Sequence, residues 1–390
     1  MMREYFKYII KFLMRNLLRI FWLFPVKKNK IFFMSNMGKN FSCNPMYLYK
    51  YFLSKNNNYK YVWAFVHINA YKFLNSNNTK IVSKKNYFKY FYHLLTSKVI
   101  IYNCGGFSYA PIRKNQLLVE TWHGGGAYKK CGLSVTRKSK FSKRGVMWAS
   151  RSIKLFISPS RKTTDTLILE AFNYKGMILD SGLPRNDIFF NNNIDEIRNQ
   201  LKRKLKIKEN AKVLLYAPTF RGNEWNANSL ESKYEEIDFK KLKKVLSDKY
   251  GCEWNIAIRS HQYACLKIDD GVDLDFSKFA DMQELLLITD ILITDYSSSI
   301  WDFGLQNKPA FLYCPDVHNY QNNDRGFYVP IEKWQGILCK NNSELLTSIT
   351  NFNQKNYIQK LKESYSSFGS YETGNACKII YDKIAKLIKE

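Results

Sequence analysis

The chain has 390 residues, of which 45% are hydrophobic and 16% aromatic, and its formal net charge is +28. This length suits two domains of ordinary size, and this much apolar material excludes a globally disordered chain. The positive charge predicts a polyanionic neighbour: nucleic acid, an anionic membrane or a phosphate-rich substrate. The eight cysteines include no CxxC pair, which excludes a secreted disulfide framework and favours a reducing cytoplasm.

The first 26 residues predict a basic amphipathic helix. Positive side chains recur at every fourth position: Arg3, Lys7, Lys11, Arg15 and Arg19. A membrane-spanning helix needs about 20 mostly apolar residues with few charges, so these charges exclude one. The segment also carries no cleavage-site pattern typical of a signal peptide. Two placements remain open, since the helix either lies in the interface of an anionic membrane or docks on its own domain.

Residues 27–190 alternate short apolar runs with helical patterns, as expected for a parallel sheet with crossover helices. The predicted strands are 30–34, 61–66, 80–82, 99–102, 116–119 and 155–157. Helices are predicted from an Asn44 cap followed by Pro45, over 87–95, and after Ser160. Ligands bind at the carboxyl ends of the strands in such sheets, so Gly105, His123 and Ser160 are expected on one edge.

A second alternating series follows a polar connector at 191–210 that runs into a surface helix. Its predicted strands are 213–217, 254–258, 291–294 and 310–313, within a domain spanning 211–355. Residues 356–390 are expected to form helices that pack back across the domain boundary. The predicted fold class is α/β of the GT-B type, with two Rossmann-like parallel-sheet domains facing a cleft and an N-terminal amphipathic helix.

The segment from Trp122 to Gly126, WHGGG, is the most informative in the chain. Three glycines after a strand let backbone N–H groups approach a ligand closely, and they permit positive φ. His123 can accept or release a proton near neutral pH, and Lys129 follows as an anion partner. An ordinary tight turn with a hydrogen-bonded histidine is the alternative interpretation of this segment taken alone.

The strand ends of the second half also carry polar groups. Ser297 and its neighbours open a helix after Thr294, and such a start directs several N–H groups and a positive dipole end at one point. A simple helix cap is the alternative, although a cap needs only one such residue. Arg259 and His261 follow another strand, where they could stabilise an anionic leaving group that gains negative charge during a reaction. Asp273-Leu274-Asp275 resembles a metal-binding DxD, but its acidic neighbours indicate an exposed turn.

Several short motifs together resemble the CDP-glycerol glycerophosphotransferases, which include teichoic acid primases and polymerases and relatives in capsule synthesis. In chain order they are TWHG at 121–124, GLPRND at 182–187, YAPTFR at 216–221, TDYSS at 294–298, NKP at 307–309 and RGFY at 325–328. The resemblance spans about residues 30–380. It implies a GT-B fold, peripheral membrane attachment and transfer of glycerol phosphate from CDP-glycerol with release of CMP.

The resemblance also implies roles for individual residues. His123 matches the family's catalytic histidine, His261 a second histidine, and Ser297 and Ser298 the serines that hold the donor pyrophosphate. The other donor-side candidates are Ser299, Arg259, Arg221, Thr219, Asp295, Asp302 and Arg325. The acceptor-side candidates are Gly124, Gly125, Gly38, Lys129, Arg185 and Asp187. Many members have Thr-Pro where this chain has Gly125-Gly126, which leaves the acceptor open.

No tightly bound cofactor or metal is expected, and CDP-glycerol is the donor substrate. The expected partners are a lipid-linked or polymeric acceptor and an anionic membrane surface, at the cytoplasmic face of the bacterial membrane. Two alternative enzymes remain, a CDP-ribitol-dependent transferase of the same family and a GT-B glycosyltransferase using a nucleotide sugar. A nucleic-acid partner is not expected, because no helix-turn-helix or RNA-binding signature accompanies the positive charge.

Overall fold

The structure is a computed structural model that describes residues 2–55, 58–135, 139–219, 236–260, 271–323 and 326–389. The chain divides into two compact units. The first comprises Met1–Gly124, Lys130–Ile188 and Ser370–Glu390. The second comprises Gly125–Lys129 and Phe189–Gly369. Each unit is built around one parallel sheet, which confirms the predicted α/β class.

The sheet of the first unit has seven parallel strands in the order β3-β2-β1-β4-β5-β6-β7. Their bounds are β1 Lys27–Met34, β2 Lys60–Phe65, β3 Thr79–Ser83, β4 Ser97–Tyr102, β5 Leu117–Glu120, β6 Leu155–Ser158 and β7 Met177–Asp180. The central strands are buried on both faces, which explains why they are continuous apolar runs rather than alternating ones. The rings of Phe33, Trp63 and Phe65 stack in series at 5.3 and 5.6 Å between centroids.

In the described part of this unit, six helices surround the sheet. They are α1 Met2–Leu17, α2 Cys43–Ser54, α3 Tyr87–Leu95, α4 Lys140–Ser152, the short α5 Arg161–Thr163, which continues as a π-helix over Thr164–Ala171, and α13 Ala376–Lys389. Helix α13 packs against α2, so the chain's last helix completes the core of its first unit. The prediction of an Asn44 cap is wrong in detail, because α2 begins at Cys43 with Ser42 at its N-cap.

Helix α1 packs on its own unit along one side. The Tyr8 ring stacks on Trp148 of α4 at 4.7 Å, and one Arg15 N–H group donates to the carbonyl of Ala110 over 2.8 Å. Beyond α1, the guanidinium of Arg113 donates to the carbonyls of Phe21 and Phe24. The helix is therefore docked, which was one of the two predicted placements. A second side of α1 remains exposed and apolar, so docking does not exclude the other predicted placement, in the interface of a membrane.

The sheet of the second unit has six parallel strands in the order β10-β9-β8-β11-β12-β13. Their bounds are β8 Lys212–Ala217, β9 Trp254–Ile258, β10 Leu274–Asp275, β11 Ile291–Thr294, β12 Ala310–Tyr313 and β13 Ile337–Cys339. The helices are α6 Ile194–Lys204, α7 Phe239–Tyr250, α8 Met282–Ile288, α9 Ser299–Gly304, α10 Val317–Asn323, α11 Asn342–Thr350 and α12 Gln354–Phe368. The predicted connector contains α6, which packs on α8 of this unit.

No helix among the described ranges is both long and apolar enough to cross a membrane. Strands β7, β10 and β13 were not predicted. The segment Met177–Asp180 is largely exposed at a sheet edge, and the other two strands are only two and three residues long. Their apolar runs are short, with three residues at 177–179 and at 337–339 and only Leu274 in β10, which gives a weak strand signal.

Candidate active site

His123 lies at the carboxyl edge of the first sheet, in the turn that follows β5. Its side chain is exposed, and its ring Nδ1 is 2.8 Å from the backbone carbonyl oxygen of Asn103, which follows the neighbouring strand β4. A carbonyl oxygen only accepts, so Nδ1 carries the hydrogen in this bond and Nε2 carries the lone pair of the neutral ring. The arrangement orients the imidazole and defines its basic nitrogen.

A buried carboxylate fixes the turn that carries this histidine. One oxygen of Glu120 accepts the backbone N–H of Trp122 over 2.9 Å, and the other accepts those of Gly105 and Gly106 over 2.9 and 2.8 Å. The side chain is fully buried, and burial raises the pKa of Glu120 to about 8 although its three N–H donors favour the ionised form. Glu120 therefore joins the turn after β4 to the turn after β5.

Trp122 is held in a backbone conformation that side chains other than glycine rarely adopt. Its φ is +52°, in the left-handed region, where a bulky residue costs on the order of 1–3 kcal/mol. The Trp122 ring packs edge-on against Phe172 at 5.0 Å. The N–H bond to Glu120 and this ring contact both oppose relaxation of the turn. Local strain is thus maintained next to His123, as is common at functional sites.

Two further side chains hold the backbone of the same turn. The amide nitrogen of Asn44 donates to the carbonyls of Thr121 and Trp122 over 3.1 and 2.9 Å. The Arg185 guanidinium donates to the carbonyl of His123 over 2.6 Å, and the Arg185 backbone N–H donates to the Asn44 side-chain oxygen. Arg185 was predicted on the acceptor side, and the structure places it beneath the histidine turn. The position of Asn44 was missed, because Asn before Pro was taken for a helix cap.

The other acceptor-side residues of the first unit have distinct positions. Gly38, with φ of +83°, forms a tight turn after β1, and a Cβ there would lie 2.7 Å from Lys84 Cδ. Gly124 is the residue at which this stretch of the first unit ends. Asp187 is a structural cap: its two oxygens accept the N–H groups of Ala376 and Cys377 at the start of α13. Its carboxylate thus holds a helix end, and its acceptor-side role stays a prediction.

Gly125 and Lys129 belong to the second unit. A Cβ at Gly125 would overlap the buried ring of Trp301, so glycine is required there by close packing. Lys129 forms an antiparallel bridge with Phe327, and the neighbouring Tyr328 N–H donates to the Tyr128 carbonyl over 2.8 Å. The predicted acceptor loop therefore changes unit directly after the first residue past the histidine, between Gly124 and Gly125.

Predicted donor residues meet at the carboxyl edge of the second sheet. The backbone N–H of Thr219, after β8, donates to the Asp295 carboxylate over 2.9 Å. The Thr294 hydroxyl donates to the carbonyl of Ala217 over 2.7 Å. Asp295 is buried, so it serves to join the two turns that follow the adjacent strands β8 and β11. This role parallels that of Glu120 in the first sheet.

The three predicted phosphate-binding serines follow Asp295. Ser297 and Ser298 are half-buried, and Ser299 is the first residue of α9. The Ser297 hydroxyl oxygen accepts from the backbone N–H and the hydroxyl of Ser299, over 3.2 and 3.0 Å. Helix α9 is only six residues long, which weakens the dipole argument of the sequence analysis. The serines' phosphate-binding role stays a prediction.

Two other donor candidates are engaged with protein groups. The Arg259 guanidinium donates to the carbonyls of Phe279 and Ala280 over 3.1 and 3.5 Å, and burial lowers its pKa. The carboxylate of Asp302 is buried and accepts from the Gln283 amide over 3.0 Å. Both side chains brace the second unit internally, so the structure supplies a structural role for each.

Three predicted residues, His261, Arg221 and Arg325, lie outside the described residues, and their roles stay predictions. Within the ranges that the structure describes, no group of three or more His, Cys, Asp or Glu side chains is arranged to hold a metal ion. Asp273 of the DxD-like segment accepts two hydrogen bonds from the Lys243 ammonium, over 2.7 and 2.8 Å.

Comparison with known families tests the interpretation of this site. The sequence model of CDP-Glycerol:Poly(glycerophosphate) glycerophosphotransferase matches residues 16–386. The chain belongs to this family. The predicted family is thereby confirmed, and the chain is a transferase that moves glycerol phosphate from CDP-glycerol.

Curated relatives agree with this membership. The chain is 30% identical over 385 residues to the teichoic acid poly(glycerol phosphate) polymerase of Bacillus spizizenii, with 94% of each chain covered. The polymerases of Staphylococcus epidermidis and Bacillus subtilis are 31% and 28% identical, and the chain spans about half of their length, 52% and 49%. A poly(ribitol-phosphate) polymerase of Bacillus spizizenii is 28% identical over 387 residues, covering 94% of this chain and 57% of that protein.

Solved structures give the same family fold. The chain is 28% identical to the wall teichoic acid polymerase TagF, with a TM-score of 0.82 and coverage of 100% of this chain and 98% of that one. A UDP-GlcNAc 2-epimerase from Neisseria meningitidis, 13% identical with a TM-score of 0.51, covers 92% of this chain and 100% of its own. That likeness concerns the fold alone. The glycerophosphotransferase fold with two parallel sheets, expected from the sequence, is therefore present.

Proposed function

We propose that this glycerophosphotransferase extends a phosphate-rich polymer at the membrane surface, with His123 as its general base. An acceptor hydroxyl attacks the β-phosphorus of CDP-glycerol, and its proton passes to His123 Nε2. The bond between the β-phosphorus and the bridging oxygen breaks, and CMP leaves with the α-phosphate. The new phosphodiester joins the acceptor to glycerol phosphate. General bases of this kind typically contribute about 10²–10⁴-fold to the rate.

The observation that carries the proposal is the hydrogen bond between His123 Nδ1 and the Asn103 carbonyl. It assigns the lone pair to Nε2 on an exposed ring, and a base needs that lone pair at neutral pH. Glu120 and Arg185 support the same assignment, because both hold the backbone on either side of the ring. A histidine in an ordinary turn does not require this supporting set.

The donor is proposed to bind in the second unit. Ser297 and Ser298 are half-buried at the carboxyl edge of its sheet, where ligands of parallel sheets bind. The proposal keeps His261 as a stabiliser of phosphate charge, on the resemblance alone. Arg259 and Asp302 are left out, since their side chains already serve protein groups. A metal is not part of the proposal.

The acceptor is proposed to be a growing glycerol phosphate polymer, lipid-linked at its far end. Its repeating phosphates complement the net charge of +28. The names of the relatives support polymer extension, and the ribitol-phosphate relative keeps CDP-ribitol as the second candidate donor. The 13% identical neighbour gives a nucleotide-sugar glycosyltransferase no support beyond its fold.

Peripheral attachment to the cytoplasmic side of the membrane is proposed to use α1. Three exposed apolar side chains, Phe6, Leu13 and Leu17, are 65%, 60% and 73% accessible and lie on one side of the helix. Basic residues flank them, as in helices that lie in the membrane interface. Deletion of residues 1–26 is expected to release the protein from anionic vesicles. Retention of the truncated protein on the vesicles would exclude α1 as the anchor.

The test of the reaction is product analysis with purified protein and a glycerol phosphate oligomer as acceptor. CMP from CDP-glycerol, with one glycerol phosphate added per CMP, is the expected result. CMP from CDP-ribitol alone would replace the donor and keep the family. Release of a nucleoside diphosphate from a nucleotide sugar would overturn the reaction.

A further inference from the structure

A pocket of about 410 Å³ lies between α1 and α3 of the first unit. Its lining side chains are Ile10, Met14, Tyr87, Tyr90, Phe91 and Tyr109, together with Lys7, Lys11 and Lys84. The volume falls in the range of about 300–1,000 Å³ that small-molecule pockets occupy. Its walls are apolar, and the side chains of the three lysines belong to the lining. No residue of the proposed reaction lines it.

The charge around this pocket has one sign over a long stretch of sequence. Residues 5–119 contain 19 lysines and arginines and not one aspartate or glutamate. Helix α4, which packs on α1, also contains only basic charged residues. No carboxylate from α1, α3 or α4 past Glu4 therefore neutralises the pocket lysines. A ligand that complements the apolar walls and the lysines carries negative charge at one end and apolar groups at the other.

The position of the pocket on α1 adds a third observation. At 100° per residue, the pocket residues Lys7, Ile10, Lys11 and Met14 fall in one sector of the helix. Tyr8 and Arg15, which contact the body of the unit, fall about 100° from the middle of that sector. The exposed apolar residues Phe6, Leu13 and Leu17 fall on the other flank of the pocket sector. A membrane that contacts these three side chains therefore lies beside the pocket residues of α1.

The pocket also reaches the functional edge of the sheet. The Lys84 ammonium donates to the carbonyl of Met37 over 2.7 Å, in the turn after β1. The adjacent Asn36 exchanges two hydrogen bonds with the side chain of Asn103, whose carbonyl holds the His123 ring. A bonded path inside the first unit thus leads from the pocket to the base.

We infer that this pocket binds one anionic phospholipid of the membrane, with an acyl chain between α1 and α3 and its phosphate at the lysines. Burial lowers the pKa of Lys84, and an anionic phosphate stabilises its charged form. The inference rests on the membrane attachment proposed above and adds a specific lipid site to it. Bulk attraction between a basic surface and an anionic leaflet needs no such pocket.

The test uses dihexanoyl phosphatidylglycerol below the concentration at which it aggregates, so that binding occurs without a membrane surface. Titration into the full chain is followed by heteronuclear NMR, with dihexanoyl phosphatidylcholine as the neutral comparison. We expect saturable binding of phosphatidylglycerol and at least fivefold weaker binding of phosphatidylcholine. No saturable binding, or equal binding of the two lipids, would overturn the inference.

Three variants locate the bound lipid. Lys84→Gln keeps a donor for Met37 and is expected to weaken binding about fivefold, the value of one lysine near an anionic lipid. Lys85→Gln makes the same charge change on the exposed neighbour, which does not line the pocket, and is expected to change binding less than twofold. Met14→Trp fills the pocket at constant charge and is expected to abolish binding, whereas Met14→Leu retains it.

Two results would overturn lipid binding in the pocket and indicate general surface attraction. One is equal weakening of lipid binding by the two lysine variants, and the other is undiminished binding by Met14→Trp. Thermal unfolding of each variant checks that its fold is intact. Flotation with vesicles of phosphatidylglycerol and phosphatidylcholine separates this outcome from failure of the attachment itself. If the unaltered protein floats with the vesicles while Met14→Trp still binds short-chain lipid, the membrane attachment stands. Only the specific lipid site is then excluded.

Discussion

Replacing Glu120 by glutamine tests how the histidine turn is held. The two carboxyl oxygens of Glu120 accept three buried N–H groups, and glutamine offers one accepting oxygen and one donating NH₂ group. If the oxygen keeps Gly105 and Gly106, the NH₂ group faces the N–H of Trp122. One buried donor is then unsatisfied, which costs about 1–3 kcal/mol of unfolding free energy. The strained turn at Trp122 also loses its anchor.

The same change is expected to lower kcat for CMP release about 10–100-fold. Misplacement of a catalytic group by about 1 Å lowers the rate on the order of 10²-fold. His123 directly follows Trp122, whose N–H group loses its acceptor in the variant. Donor KM should change less than twofold, because Glu120 lies in the first unit and the predicted donor residues lie in the second. Steady-state CMP release over a range of CDP-glycerol concentrations measures both constants.

The pH dependence of stability provides an independent signature. Burial raises the pKa of Glu120 to about 8 from its usual 4.5, so the folded state binds the extra proton between these values. The contribution of this group to the unfolding free energy therefore falls as pH rises from about 5 to about 8. Glutamine does not titrate, so the variant should lack this slope, and the difference in unfolding free energy between the two proteins should change with pH over this range. An unchanged kcat together with an unchanged pH profile would refute the positioning role.

Three further changes test other parts of the structure. Asp187→Ala removes the cap of α13 and should cost about 0.5–2 kcal/mol in denaturant unfolding with unchanged kcat, whereas a selective rise in acceptor KM would restore its predicted acceptor role. Gly125→Ala should lower the unfolding free energy by about 1–3 kcal/mol through overlap with Trp301, and a fully stable variant would contradict that packing. Arg259→Gln should destabilise the protein and leave donor KM within twofold. A large rise in donor KM would instead support binding of the donor phosphates by this guanidinium.

The sheets could be predicted because their strands are buried on both faces. Runs such as those ending at Met34 and Thr294 are continuously apolar, and the turns after them carry glycine or small polar residues. The shared edge followed from the rules of parallel sheets, whereas the order of the strands was not predicted. The location of α13 in the first unit was only partly predictable, since an amphipathic helix does not name the surface that it covers.

The supporting residues of the site escaped prediction for a different reason. Glu120 ends an apolar strand, and its partners are backbone N–H groups that no motif encodes. Asn44 stands before a proline, where a cap is the common interpretation, yet its amide holds a loop 77 residues away in sequence. A charged residue at the end of a fully buried strand, three residues before a histidine, is a signal that would have identified Glu120.

The donor roles of Arg259 and Asp302 stay predictions. Both were placed at the donor from their position after a strand or at a helix start. The structure instead pairs them with carbonyls and an amide of their own unit. Position at a sheet edge identifies candidate ligand-binding residues. Only the direction of the side chain distinguishes a residue that contacts a ligand from one that bonds to neighbouring protein groups.

The role of His123 as general base is tested by CMP release from CDP-glycerol in the presence of a glycerol phosphate oligomer, comparing the unaltered protein with His123→Ala. We expect turnover to fall by about 10²–10⁴-fold in the variant with donor binding retained, because only the proton acceptor is removed. Asp187→Ala serves as the matched control and should turn over normally. Turnover by His123→Ala at the rate of the unaltered protein would contradict the account.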